Sequence, residues 1–273
     1  KYSPELRTTF YRALNLLLPA AADRLTPRRE ALVKVCIGGE TKELSAEEYV
    51  ASAVAACPTA SEPAAREALA VVIRTNVMHA RLYGTVHEGY LFCDDPGCCF
   101  ALADPGDEAV SAASATSGRY LVRDGLPVEL PFSECCGSGS GEGANSPFSA
   151  AVTAASPCEV HRAERRFTLR ELSLLLGLTE EPDEECFVFY GRNKKCEFAV
   201  FGTEMPDAGR IMRALSLPSR EFTLDIAGGE AVFDCRGLGS GLGLDLCYAA
   251  RLAKNGSDCT HILQTYFPKL SLN

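Results

Sequence analysis

The chain has 273 residues, 47% of them hydrophobic, which is enough for a large core in one domain or two. Its formal net charge of −9, with no run of Lys and Arg, excludes a nucleic-acid partner, because binding a polyphosphate draws on cations that displace counterions. No stretch of about 18 apolar residues is present to cross a bilayer, and the run ALNLLLPAAA is short and broken by Pro19.

In chain order, residues 5–23 carry apolar positions at helical spacing and predict a helical segment within 1–30. The chain opens on Lys1 rather than Met, which leads to the expectation of an upstream segment, a signal or an anchor, that is absent from this chain. LVKVCI at 32–37 alternates with a β period and runs into the turn GGE. A helix is predicted from near Ser45, with Glu47 and Glu48 in its first turn, through EEYVASAVAA to Pro58. For the next helix, Ser61 is the cap, Glu62 suits the positive end of the dipole and Pro63 fits the first turn. Ala65, Leu69, Val72, Ile73, Asn76 and Val77 then form one stripe.

GRYLV and PVELPFS, separated by the turn RDGL, read as strands. GSGSGEGANSP at 137–147 reads as a flexible loop, too rich in Gly and Ser to pack a core. Thr168 caps a helix LRELSLLLG that Gly177 closes. CFVFYG and CEFAVFG read as strands, 205–215 as a helix, REFTLDI and EAVFDC as strands, and 245–254 as a closing helix. There is no internal repeat and no βαβ rhythm, so the pattern predicts an α+β fold of mixed helices and antiparallel strands.

Two features fall outside simple core building. Thirteen cysteines leave at least one unpaired, and Cys98-Cys99 and Cys135-Cys136 are adjacent pairs poorly suited to mutual disulfides. Cys36 and Cys186 sit in apolar segments as small hydrophobes, and this usage favours a reducing habitat or an anaerobe. The second feature is RGLGSGLGLDLCYAARLA at 236–253, where Gly237, Gly239, Gly241 and Gly243 precede a helix. A bare backbone at a helix N-terminus suits a phosphate. The spacing, however, is neither G-x-G-x-x-G nor G-x-x-x-x-G-K-[ST], and no Lys stands where a phosphate lysine would.

Seven segments in order resemble the stage II sporulation protein D (SpoIID/LytB) family over roughly residues 32–272. EEYVASAVAACP resembles E-E-Y-L-x-G-V-V-A-A-E-M-P, and EALAVVIRTNVMHA resembles A-L-K-A-Q-A-V-A-A-R-T-Y, with Arg74 and Thr75 at the matching place. HEGYLFCDDPGCCF resembles H-P-x-x-x-L-C-D-x-x-H-C-Q, and TSGRYLVRDGLPVELPFSECCGS resembles the strand pair that leads into a polar loop. GTEMPDAGRIMRALSLPSREFTL, the glycine run and HILQTYFPKLSL match the three remaining segments. The resemblance implies a SpoIID-like domain over 31–273 with two lobes around a substrate cleft. It also implies a peptidoglycan lytic transglycosylase, working outside the cytoplasmic membrane during engulfment of the forespore, on glycan strands stripped of stem peptides. There one carboxylic acid protonates the glycosidic oxygen and then takes the proton of the sugar's own 6-hydroxyl, which differs from the hydrolase scheme of two carboxylates and a water. Such an acid needs a raised pKa.

In the family that acid is the Glu of A-A-E-M-P. Counted back from Pro58 the position holds Ala56; counted forward from Tyr49 the Glu is deleted. In the glycine run, Ser240 stands at the family's His, Asp245 at its Ser, Leu246 at its Gln and Cys247 at its Tyr. Glu134 is a candidate substitute acid, against a solvated loop carboxylate, and Asp245 is a polar candidate, against a plain helix N-cap. The substrate-binding set implied by the resemblance is Arg74, Glu134, Gly239, Ser240, Gly241 and Asp245. Some family members carry zinc, and His87, Cys93 and Cys98 match three of those ligands, with Gly97 in place of the second His. Cys99, or Cys135 or Cys136 from the other loop, would complete a structural site; the alternative is a set of unligated thiols. His79 is read at a helix end, His161 on a charged surface and His261 in the closing helix-loop.

The expectation is therefore an extracytoplasmic protein, anchored through an upstream segment, that binds peptidoglycan glycan strands or scaffolds other engulfment proteins with lost or reduced transglycosylase activity. The alternatives are an active transglycosylase using Glu134, and a protein–protein adaptor without glycan affinity.

Overall fold

A computed structural model describes residues 32–95, 98–137, 139–140, 152–153, 161–182, 186–191 and 195–273. The helix expected at 5–23 and most of the loop expected at 137–147 lie outside them. Among the described residues the fold is α+β, with seven helices between small sheets. The chain divides into two compact units, one holding residues up to Pro58 with Arg66–Leu130 and Leu270–Asn273, the other Thr59–Ala65 with Pro131–Lys269.

In the first unit, β1 (Leu32–Ile37) and β2 (Glu40–Ser45) form an antiparallel hairpin in the register Ile37↔Glu40. Its two-residue loop is Gly38-Gly39 at φ 59° and 84°, a left-handed pair that glycine adopts without a Cβ penalty. Val33 and Val35 are buried and β2 is almost wholly polar, so hydropathy does not announce the second strand. Ser45 then caps α1 (Ala46–Ala55). Its hydroxyl accepts from Glu48 N–H at 3.2 Å, and the Glu48 carboxylate accepts from Ser45 N–H at 2.7 Å, a reciprocal capping box.

The helix α2 (Pro63–Tyr83) buries its expected stripe and also Ala68, Ala70, Val71, Arg74 and Thr75, so it is covered on most sides rather than on one face. β3 (Phe92–Cys93) joins β1 in parallel, Val35 beside Phe92, which departs from the antiparallel expectation. The Ala- and Ser-rich α3 (Asp107–Ala115) carries too little apolar contrast to be read from sequence. β4 (Leu121–Arg123) and β5 (Leu126–Pro127) turn at Asp124-Gly125, and the C-terminal β15 (Ser271–Leu272) pairs on β4.

Arg74 ties this unit together. Its Nε donates to Glu47 Oε1 at 2.9 Å and its Nη2 to Glu47 Oε2 at 2.6 Å, a bidentate pair. The remaining donors reach Ala113 O at 3.0 Å, and Thr116 Oγ1 and Arg119 O at 3.2 Å each. One guanidinium thereby joins α1, α2 and the end of α3.

In the second unit, β6 (Phe132–Ser133) is followed by the short pair β7 (Gly139–Ser140) and β8 (Val152–Thr153). The polar β9 (Arg162–Thr168) leads into α4 (Leu169–Leu176), closed by Gly177 at φ 63°. β10 (Phe187–Tyr190) pairs with β11 (Cys196–Val200), and Asp207 caps α5 (Ala208–Leu215). β12 (Glu221–Ala227) and β13 (Glu230–Arg236) form an antiparallel sheet with β9 in the order β12-β13-β9. Leu172, Leu176, Ile211, Leu215, Phe222 and Phe233 belong to the core that joins this sheet to α4 and α5. β14 (Leu244–Asp245) runs parallel to β6, before α6 (Leu246–Lys254) and α7 (Cys259–Tyr266). No helix among the described residues is long and apolar enough to cross a membrane.

Removing one partner of a buried ion pair leaves the other uncompensated, so Arg74→Met is expected to lower unfolding stability by about 3–5 kcal/mol, with Glu47→Gln losing less because Glu47 is partly solvated. Urea denaturation of both variants checks this. A second expectation concerns His79, whose pKa burial lowers below its ordinary 6.5 while Glu129 pulls weakly the other way. A depressed imidazole contributes stability above pH 6.5 that is lost as pH falls through its folded value. His79→Gln should therefore flatten the fall in melting temperature between about pH 8 and about pH 5.

Candidate functional site

The first unit gathers His87, Cys93, Cys98 and Cys99, whose ligand atoms lie within 4.8 Å of one another and can hold a metal ion. β3 positions Cys93 in register with Cys36 of β1. The N–H groups of Cys98 and Cys99 both donate to Asp95 O, at 3.0 and 2.8 Å, which fixes the adjacent cysteines in one turn. The His87 ring stacks on Tyr90 at 4.7 Å between centroids and brings Nε2 to 3.3 Å from Cys99 Sγ and 3.5 Å from Cys98 Sγ. The two sulfurs are 3.9 Å apart. A tetrahedral ion with zinc-like bond lengths would impose separations of about 3.6 Å for N···S and about 3.8 Å for S···S. Burial, with the neighbouring sulfurs adding to it, pushes the Cys99 thiol up to about 12. Crowded thiols of this kind are what a divalent cation neutralises. Of the three residues considered as fourth ligand, Cys99 is the one brought in; Cys135 and Cys136 belong to the second unit. Gly97 lies outside the described residues.

The motif EEY has a separate local explanation for each residue. Glu47 pairs with Arg74, Glu48 completes the capping box, and Tyr49 is buried with its ring stacked on Phe92 at 4.8 Å. Arg74, expected to contact substrate, is instead 1% exposed, and its donors are taken up by Glu47, Thr116 and backbone carbonyls. A side chain so enclosed has no N–H left for a ligand. Ala56, which the resemblance sets against the expected acid, is the C-cap of α1 and contributes only a methyl group.

In the second unit, Glu134, Gly239, Ser240, Gly241 and Asp245 do come together, because the glycine run lies directly on the segment 131–137. All four glycines have positive φ, at 88°, 107°, 69° and 70°. A Cβ on Gly237 would fall 2.6 Å from Cys135 O, one on Gly239 3.2 Å from Ser133 Cβ, and one on Gly241 2.8 Å from Lys195 Cε. A Cβ on Gly243 would collide with Pro131 O. Gly237, Gly239 and Gly243 therefore serve close approach of two chain segments, Gly241 makes room for the Lys195 side chain, and β6 and β14 pair in the gap so formed.

The polar side chains in this seam satisfy one another. Ser240 Oγ and Ser133 Oγ are 3.1 Å apart, and Ser133 Oγ accepts from Gly241 N–H at 3.0 Å. Lys195, under Gly241, donates to Glu221 Oε2 at 2.6 Å and to Cys136 O. Asp245 is the N-cap of α6, accepting from Tyr248 N–H at 3.2 Å, and burial pushes its carboxyl up to about 6. Glu134 differs: its Oε2 is buried and has no hydrogen-bond partner. A further group, Cys135, His161 and Cys247, collects beside the seam. Positions so far apart in sequence offer no spacing signal, and His161, expected on a charged surface, is half-buried.

Compared with known proteins, the sequence matches no protein-family model and no curated protein. The cluster around His87 makes metal content a direct check. Cys93→Ser and Cys98→Ser are each expected to carry one equivalent of divalent metal fewer than the unsubstituted protein in elemental analysis, and a metal count unchanged in both would refute the site.

Proposed function

We propose that this chain is a SpoIID-like protein that binds peptidoglycan glycan strands, outside the cytoplasmic membrane, without the family's lytic transglycosylase chemistry. The observation that carries this is the acid position. Proton donation to a glycosidic oxygen requires a carboxyl at the cleaved bond, and Ala56 supplies none. The run has its four glycines, all at positive φ, with Ser240, Asp245, Leu246 and Cys247 in place of the polar residues that the resemblance leads one to expect, which fits recognition with lost catalysis. An upstream anchor would hold the protein at the membrane, and other engulfment proteins are its natural neighbours there. In this reading zinc fills the cluster of His87, Cys93, Cys98 and Cys99 as a structural ion, pinning a loop that has few apolar contacts.

A second reading has one specific observation in its favour. Glu134 Oε2 is buried and has no hydrogen-bond partner, so this carboxylate, unlike those of Asp245 and Glu221, is not committed to a structural role in the seam. Denuded glycan strands separate the two. The expected outcome is sedimentation of the protein with denuded sacculi and no anhydro-muropeptides above the buffer control by mass spectrometry. Anhydro products that disappear in Glu134→Gln would establish the second reading, and failure to sediment would overturn both in favour of a protein–protein adaptor.

A further inference from the structure

We propose that Cys135, His161 and Cys247 form a second metal centre, which holds a zinc-class divalent cation through two thiolates and one imidazole and leaves a fourth position open. The inference is independent of the glycan-binding proposal, since it rests on ligand geometry in the second unit alone. Cys247 Sγ lies 3.9 Å from His161 Nδ1, and the three ligand atoms are all within 4.8 Å of one another. A tetrahedral ion with zinc-like bond lengths asks for about 3.6 Å between S and N and about 3.8 Å between sulfurs, so closure needs movements under about 1 Å.

Backbone hydrogen bonds hold the three ligands in that arrangement. Cys135 N–H donates to Leu238 O at 3.0 Å, and Leu238 N–H donates to Cys135 O at 2.7 Å. Gly237 N–H donates to His161 O at 2.8 Å, and Cys247 N–H donates to Glu134 O at 3.1 Å. The glycine run is thus the common scaffold, and the missing side chain of Gly237 lets it lie against Cys135 while its N–H holds His161. Ligands fixed by their own main chain are pre-organised, as a metal site requires.

The ligand set decides the ion. Thiolate and imidazole favour zinc and exclude magnesium and calcium, which take oxygen ligands. Among the described residues no fourth ligand atom joins these three, and His161 and Cys247 are half-buried beside the fully buried Cys135, so the remaining position is one for water or a small anion. Three protein ligands with one exchangeable position is the arrangement of catalytic rather than structural zinc.

The test uses the intact protein, stripped by a chelator and reconstituted with zinc or Co2+. His161→Gln and Cys247→Ser, at half-buried positions, are each expected to hold one equivalent of zinc fewer than the unsubstituted protein, with unchanged circular dichroism. Azide added to the Co2+ form should shift the visible bands of the unsubstituted protein and leave those of the two variants unmoved. Zinc should also slow iodoacetamide labelling of Cys247. Metal content equal to the unsubstituted protein in both variants would overturn the site. Labelling of Cys247 at the same rate with and without zinc would do so too, leaving a metal-free thiol–imidazole pair.

Discussion

A cation taken out of water must find its full complement of partners inside the protein, and each unit of this chain is arranged around one such cation. In the first unit it is Arg74, held by Glu47 in a bidentate pair and by carbonyls at the end of α3 and beyond. Desolvation of an unpaired guanidinium costs several kcal/mol, more than any one apolar contact returns, so α1, α2 and α3 have to converge where its five donors end. In the second unit it is Lys195, paired with Glu221 and lying against Gly241, so that a buried ion pair underlies the glycine run. A sequence position that looks ligand-binding in Arg74 is therefore occupied by the demands of the fold.

The glycine run shows a second constraint, of space rather than charge. Four glycines at alternate positions look like an anion cradle, yet in three places the atoms that would meet a Cβ belong to the segment 131–137, and in the fourth to the Lys195 side chain. Close approach lets β14 pair with β6 and carries Asp245 into the cap of α6. It also brings Cys135, His161 and Cys247 within reach of one another. The same backbone seam thus serves stability and gathers chemistry-bearing side chains.

Thiols set the chemical character of the molecule. No two described cysteines are joined in a disulfide. Those in apolar surroundings, such as Cys196 and Cys235, have their thiols pushed up by burial and act as small hydrophobes. Five others collect around imidazoles: Cys93, Cys98 and Cys99 around His87 in the first unit, and Cys135 and Cys247 around His161 in the second. The proposed glycan role and the proposed open metal centre draw on neighbouring residues of the same seam, Glu134 beside Cys135 and Asp245 two residues before Cys247.

Local chemistry was legible in the sequence wherever it depends on neighbours a few residues apart. Ser45 with Glu48, Thr168 with Gly177, the Gly38-Gly39 turn and the core stripe of α2 all follow from capping, turn and periodicity rules, and so does the α+β class. The His87 cluster was expected through the resemblance, whose zinc ligands His87, Cys93 and Cys98 match, and all four of its residues fall within 87–99. The polar strands β2 and β9 and the alanine-rich α3 were not, because their order comes from pairing and packing partners rather than from their own hydropathy. Whether Arg74 is buried or offered to a ligand, which cysteine completes the first cluster, and what His161 meets were decided only by tertiary structure. Each depends on the burial of charge or on the close contact of segments far apart in the chain, and neither leaves a trace in local spacing.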